Sequence, residues 1–185
     1  MGVHSPRAYS CLSTNNYSRR VSSVTDPFDR ASFDKVVRSR PYEDFQVGQV
    51  YVHHYGRTIT AADNVAFSTA TCCWLPMYLN VPFAQAHGHP DTVVHPMLVL
   101  CTVVGMSAED LSERGGAFLG LEDCTFHSQL YPGDTLTARS TVISTRPSKS
   151  RPGGIVSWHS EGHDQNGTLV VDFVRTNLVG SRERA

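Results

Sequence analysis

Cys72, Cys73, Tyr78, His87, His89 and His95 fall within one short stretch, and each is a residue type that can move a proton or attack a carbonyl. Their reach differs. A thiol is nucleophilic only as the thiolate and ionises near about pH 8.5, while a phenol keeps its proton to about pH 10. At neutral pH Tyr78 is therefore a proton or hydrogen-bond donor and a poor base. Only the imidazoles titrate close to neutrality. By type alone, Tyr78 could serve as an acid, Cys73 as a nucleophile or acid, and His95 as a proton-transfer group. Each has a plainer reading: Tyr78 as a half-buried aromatic with its hydroxyl satisfied, Cys73 as a small packed apolar residue, and Cys72 as a packing residue pointing elsewhere. His87, His89 and His95 lack tight helical spacing and an accompanying carboxylate, so no metal site and no cofactor are expected.

The elements that must position these groups follow from spacing. Val47 to His54 suits a short strand, bounded by Gly48 and Gly56. Thr60 with Asp63 three residues on reads as a capping box, and Val65, Phe67, Ala70 and Thr71 continue one helix to about Cys72. Pro76 and Pro82 predict irregular chain over 73–92. Pro96 suits the first turn of a helix running through Leu98, Leu100, Val103, Val104 and Met106, apolar nearly all round and so expected to be buried. Strand patterns follow near 117–128, 134–146, 154–163 and 168–179, separated by Pro132-Gly133-Asp134, the 147–153 loop and Gln165-Asn166-Gly167.

A chain of 185 residues with 40% hydrophobic content suits one domain with an ordinary core. A net charge of −1 favours neither nucleic acid nor a membrane surface. The apolar run from Met97 to Val104 is too short for a bilayer and no signal peptide is seen, which predicts a cytoplasmic protein. Five cysteines, an odd number, read as reduced thiols. Residues 1–40 are different material. Arg7, Arg19, Arg20, Arg30, Lys35, Arg38 and Arg40 stand against Asp26, Asp29 and Asp34, giving a basic, Ser-rich stretch with no sustained period. Such a segment is expected to be a flexible extension, with an acidic partner such as a carrier protein as its functional alternative.

Five stretches in order resemble the MaoC-like dehydratase and (R)-specific enoyl-CoA hydratase family, in particular its mesaconyl-CoA hydratase-like branch. They are Tyr42 to Gly48, Gly56 to Asn64, Val93 to Leu98, Tyr131 to Leu136, and Ser148 to Gly153 with its SKSRPG run. The likeness covers roughly residues 41–180. It implies an α+β hot-dog fold over 41–185, an antiparallel sheet wrapped around a buried central helix. No internal repeat appears, so two such units would meet as a homodimer or a dimer of dimers.

The resemblance also implies an acyl thioester of CoA or a carrier protein as substrate, and here the chain departs from its pattern. The family's catalytic Asp falls at Cys73 and its His at Tyr78, and the glycine whose N–H serves the thioester carbonyl falls at Pro96, which has no N–H. Losing a positioned base costs about 10²–10⁴-fold, and losing an oxyanion donor about 10²–10³-fold. Ordinary hydration is therefore expected to be weak or absent. Arg57, Asp63, Asn64, Pro96, Lys149 and Arg151 are candidate substrate-binding residues, the basic ones for a phosphate or acyl portion. Three readings stand: a lyase or dehydratase-type enzyme, or one diverged to isomerisation, conjugate addition or cyclisation in biosynthesis, with Tyr78 as acid; a catalytically degenerate binder or structural partner of an active homologue; and a thioesterase using Cys73.

Overall fold

Thr60 and Asp63 form a reciprocal pair at the start of the first long helix: the Asp63 N–H donates to Thr60 Oγ1 at 3.2 Å, and the Thr60 N–H to Asp63 Oδ2 at 2.9 Å. Two otherwise orphaned donors are thereby satisfied, as expected for a capping box. The computed structural model describes residues 40–113 and 116–182, all within one unit, Val37–Ala185. The extension expected over 1–40 lies outside the described residues, apart from Arg40, whose guanidinium sits 5.2 Å from the Tyr51 ring centre.

A 3-10 turn, Tyr42–Asp44, precedes β1 (Val50–Val52), β2 (Arg57–Thr58), α1 (Ala61–Ala70), α2 (Pro76–Leu79), α3 (Val81–Ala86), α4 (Pro96–Leu111), β3 (Phe118–Phe126), β4 (Thr135–Pro147), β5 (Gly153–His163) and β6 (Leu169–Gly180). The pairing is antiparallel throughout, in the order β1-β4-β5-β6-β3, with β2 on β4. This is the hot-dog architecture, with α4 lying in the curve of the sheet.

Alternation along β5 buries Gly154, Val156, Trp158, Ser160 and Gly162 toward the helix. Val99, Leu100 and Val103 of α4 meet Ile59, Leu136, Ala138, Val171 and Phe173 in one core group, and Leu111 meets Phe45, Tyr51, Val142, Val156 and Trp158 in a second. Gly153, at φ +113°, opens β5 in a conformation other residues rarely adopt.

Two expectations need correction. Residues 73–92 are not irregular throughout: Pro76 and Pro82 sit in the first turns of the short helices α2 and α3, where a missing N–H costs nothing, while 87–92 follow the irregular reading. Nor is α4 buried all round. Met97, Cys101, Gly105 and Glu109, each four residues apart, form an exposed stripe, because a single sheet covers only one side of a helix.

The C-terminal half of α4 is held by polar groups. Buried Arg175 donates through Nη1 to the Val104 carbonyl (3.2 Å) and Ser107 Oγ (2.8 Å), through Nη2 to Ser112 Oγ (2.5 Å), and through Nε to Asn177 Oδ1 (2.9 Å). Its desolvation lowers the guanidinium pKa to about 10. A cation at this end of a helix is favoured by the helix dipole. Nearby, His53 Nδ1 lies 2.7 Å from the Asp110 carboxylate and Nε2 3.0 Å from Ser140 Oγ, with Ser160 Oγ a further 2.8 Å on, tying the chain after β1 to α4, β4 and β5. Among the described residues, no helix is long and apolar enough to cross a membrane.

Candidate functional site

The chain reverses sharply after α1. Cys72 adopts φ +56°; its N–H donates to the Thr69 carbonyl at 3.2 Å and that of Cys73 to the Ser68 carbonyl at 2.9 Å. This is the double bond pattern of a Schellman stop, with a cysteine where glycine is usual. The turn delivers Cys73 and α2 to the flank of α1, and Asn64 locks them there. Asn64, 1% exposed, donates from Nδ2 to the carbonyls of Tyr78 and Val93, both at 3.0 Å, and accepts the His95 N–H at 2.8 Å. The Val93 N–H returns to the Met77 carbonyl at 3.1 Å and the Val94 N–H to Leu130 at 2.8 Å. One buried amide thus joins α1, α2 and the segment leading into α4.

These elements and the end of β3 enclose a cavity of about 570 Å³. Its lining includes Met77 and Tyr78 of α2, Val94, Pro96 and Val99 at and before the start of α4, and Phe126, His127, Gln129 and Leu130 at and after the end of β3, with His89. Tyr78 belongs to this lining, and its pKa is raised, first by burial and then by the neighbouring Cys73 thiol. Its ring centre lies 4.6 Å from that of His95, which also meets Phe67 at 5.0 Å. Burial lowers the His95 pKa and keeps the ring neutral.

The start of α4 is closed to a ligand. Pro96 has no N–H; the Met97 N–H donates to His95 Nδ1 at 3.1 Å, and those of Leu98 and Val99 go to the His95 carbonyl at 2.9 and 3.2 Å. In the neutral ring Nδ1 is thereby used as an acceptor, so Nε2 carries the proton and His95 can act outward only as a donor. No amide of this first turn is free to receive an oxyanion.

Of the candidate residues, the structure brings together Tyr78, Pro96, His95, Cys73 and Asn64. Asn64 builds the site, since both Nδ2 hydrogens are committed to backbone. Asp63 is spent on its cap and on Arg57, whose Nη2 lies 2.7 Å from it; hydrogen bonds from Thr60, first its N–H and then its hydroxyl, hold its pKa below the ordinary value. Arg57 lines a different groove of about 670 Å³, with Tyr55, Leu98, Cys101, Gly105 and Glu109. Lys149 and Arg151 follow the end of β4, while the cavity lies by its start: Thr137 pairs with His163 there, and Pro147 with Gly154 at the far end. Cys73 is half-buried beside Tyr78 and does not line the cavity. The His rings find separate partners, His87 Nδ1 with the Phe83 carbonyl (2.8 Å) and His89 Nδ1 with the Tyr131 hydroxyl (3.1 Å). His127 and Gln129 went unread in the sequence. A polar run after an apolar strand was visible, but nothing local says that the strand's end meets α2.

The family profile for mesaconyl-CoA hydratase matches residues 22–185. A mesaconyl-CoA hydratase of Haloarcula hispanica is 38% identical over 146 residues, covering 78% of this chain and 41% of that protein. The crystal structure of a MaoC domain protein dehydratase from Chloroflexus aurantiacus shares 33% identity at a TM-score of 0.74, covering 78% of this chain and 41% of that one. A Mycobacterium tuberculosis protein with a double hotdog fold matches at a TM-score of 0.72 and 25% identity over 80% of this chain and 46% of its own. The chain spans about two fifths of the length of the curated relative it matches.

Proposed function

Because the chain belongs to the mesaconyl-CoA hydratase family, we propose that its cavity takes the acyl part of a CoA or carrier-protein thioester and that Tyr78 donates a proton there in lyase-type chemistry. The observation that carries this is the placement of Tyr78. It lines the cavity where α2 meets the start of α4, and burial keeps its phenol protonated at neutral pH. The neutral His95 ring beside it is a second donor, not a base. Dehydration of a hydroxyacyl thioester, or the reverse, is the reaction class that relatives named as hydratase and dehydratase support. Elimination, isomerisation or ring closure would use the same acid.

The consumed amides at the start of α4 make ordinary hydration slow, because a developing thioester oxyanion meets no backbone donor in this turn. That same observation favours a second reading, a unit that holds a thioester without turning it over. The exposed stripe on α4 supports pairing with a second copy of the chain.

The test is Tyr78→Phe with mesaconyl-CoA, crotonyl-CoA and their hydrated counterparts as probes. The expected result is slow wild-type turnover, below the ordinary enzyme range of about 1–10³ s⁻¹, that Tyr78→Phe abolishes while thioester binding persists. Turnover unchanged in the variant removes Tyr78 from the chemistry. Binding without turnover in the wild type selects the second reading.

A further inference from the structure

The loss of the family's acid and base positions leaves the cavity short of a proton acceptor, and the segment after β3 supplies one. His127 follows β3 and lines the same cavity as Tyr78. Its Nε2 lies 2.7 Å from Asp172 Oδ1 on β6, and His159 Nε2 on β5 reaches the other oxygen of the same carboxylate at 2.9 Å. A carboxylate accepts only, so the neutral His127 ring carries its hydrogen on Nε2 and keeps the lone pair on Nδ1. Burial opposes the Asp172 charge, yet hydrogen bonds from the two imidazoles hold its pKa below the ordinary carboxylate value. Among the other cavity-wall and neighbouring imidazoles, His95 has committed its lone pair to Met97, and His89 is paired with the Tyr131 hydroxyl rather than a carboxylate.

We infer that His127, oriented by Asp172, is the general base of this cavity, acting together with Tyr78. The inference rests on the thioester reading above. In the hydration direction Nδ1 takes a proton from water, and the oxygen bonds to the β-carbon of the enoyl thioester. The double-bond electron pair then moves to the α-carbon, which takes the Tyr78 proton. The imidazolium returns its proton to the phenolate through solvent, so one water is added and both side chains are restored. Asp172 is a positioning residue, fixing which ring nitrogen is bare, as second carboxylates do for histidine bases.

Other ionisable groups stand around the pair. Glu161 is the Cα partner of Asp172 on β5, bound by Arg139 at 2.6 and 2.8 Å and lying 3.9 Å from His163. Cys124 on β3 has its pKa raised, first by burial and then by the Asp172 charge. None of these lines the cavity.

The experiment follows hydration of mesaconyl-CoA and crotonyl-CoA by the wild type and by His127→Gln, Asp172→Asn and His159→Gln, from about pH 5 to about pH 9. His127→Gln should lower kcat by about 10²–10⁴-fold with KM nearly unchanged. Asp172→Asn should show a smaller loss, and His159→Gln, which removes only the second hydrogen bond to Asp172, a smaller loss again. Retained activity in His127→Gln overturns the inference, as does an equal loss in His159→Gln, which would mark a merely structural cluster. A wild type that turns over neither thioester refutes the catalytic reading instead. The His127 ring signal, assigned by its disappearance in His127→Gln, then decides: a shift on saturation with crotonyl-CoA supports His127 at the acyl site, and no shift overturns it.

Discussion

Replacing Asn64 by alanine strikes the joint on which the site depends. Three bonds of 3.0, 3.0 and 2.8 Å vanish together, and the carbonyls of Tyr78 and Val93 and the N–H of His95 lose their partner. A buried polar group left unpaired costs about 1–3 kcal/mol. Val93 and His95 are 6% and 8% exposed, while Tyr78 is only half-buried and can recruit water. Full cost at two groups and little at the third gives about 2–6 kcal/mol, a large part of a typical stability of about 5–15 kcal/mol. With a urea dependence of about 1–3 kcal/mol per molar, the midpoint should fall by about 2 M in a denaturation curve followed by circular dichroism. Ser68→Ala is the internal control, since Ser68 is equally buried on the same helix but its hydroxyl has no partner among the described residues; it should change stability by less than about 1 kcal/mol. Equal effects of the two substitutions, or a loss under about 1 kcal/mol for Asn64→Ala, would refute the account of Asn64 as the joint.

Three further outcomes are expected. The lowered His95 pKa means the unfolded chain binds a proton before the folded one, so stability should fall as pH drops below the free-imidazole value of about 6.5; His95→Asn, which keeps a capping acceptor, should remove that fall in denaturation curves at about pH 7 and about pH 5. A methyl group added at Gly162 would lie 2.6 Å from Val103 Cγ2, so Gly162→Ala should lower stability by about 1–3 kcal/mol in the same assay. Sedimentation at micromolar concentration should give a dimer or a multiple of dimers; a well-behaved monomer would contradict pairing through the exposed side of α4.

Much of the fold was legible because its signals are local. Thr60 and Asp63 announce a helix start through their own side chains, and Pro132-Gly133-Asp134 and Gln165-Asn166-Gly167 mark turns that the strands respect. The short helices at Pro76 and Pro82 were missed because proline was read as a breaker, when in a first helical turn it is permitted. The exposed side of α4 was missed because hydrophobicity cannot tell a surface covered by the chain's own sheet from one left for another body. At the site, the motif resemblance located Tyr78, Cys73 and Pro96 but could not pair them with anything distant. His127 meets Asp172 across 45 residues, through the register of β3 on β6, and that register is a property of the folded sheet. Packing and pocket contact both suit Asn64 in the sequence, and its backbone partners, 14 and 29 residues away, are invisible in the local pattern.

The bare stripe of Met97, Cys101, Gly105 and Glu109 has a thermodynamic consequence. If a second unit covers it, folding and association become one equilibrium, and the melting temperature becomes a function of how much protein is present. Each tenfold rise in protomer concentration would then add about 1.4 kcal/mol per mole of dimer. Dilution would act as a denaturant, and a variant measured at one concentration would rank differently against its parent at another.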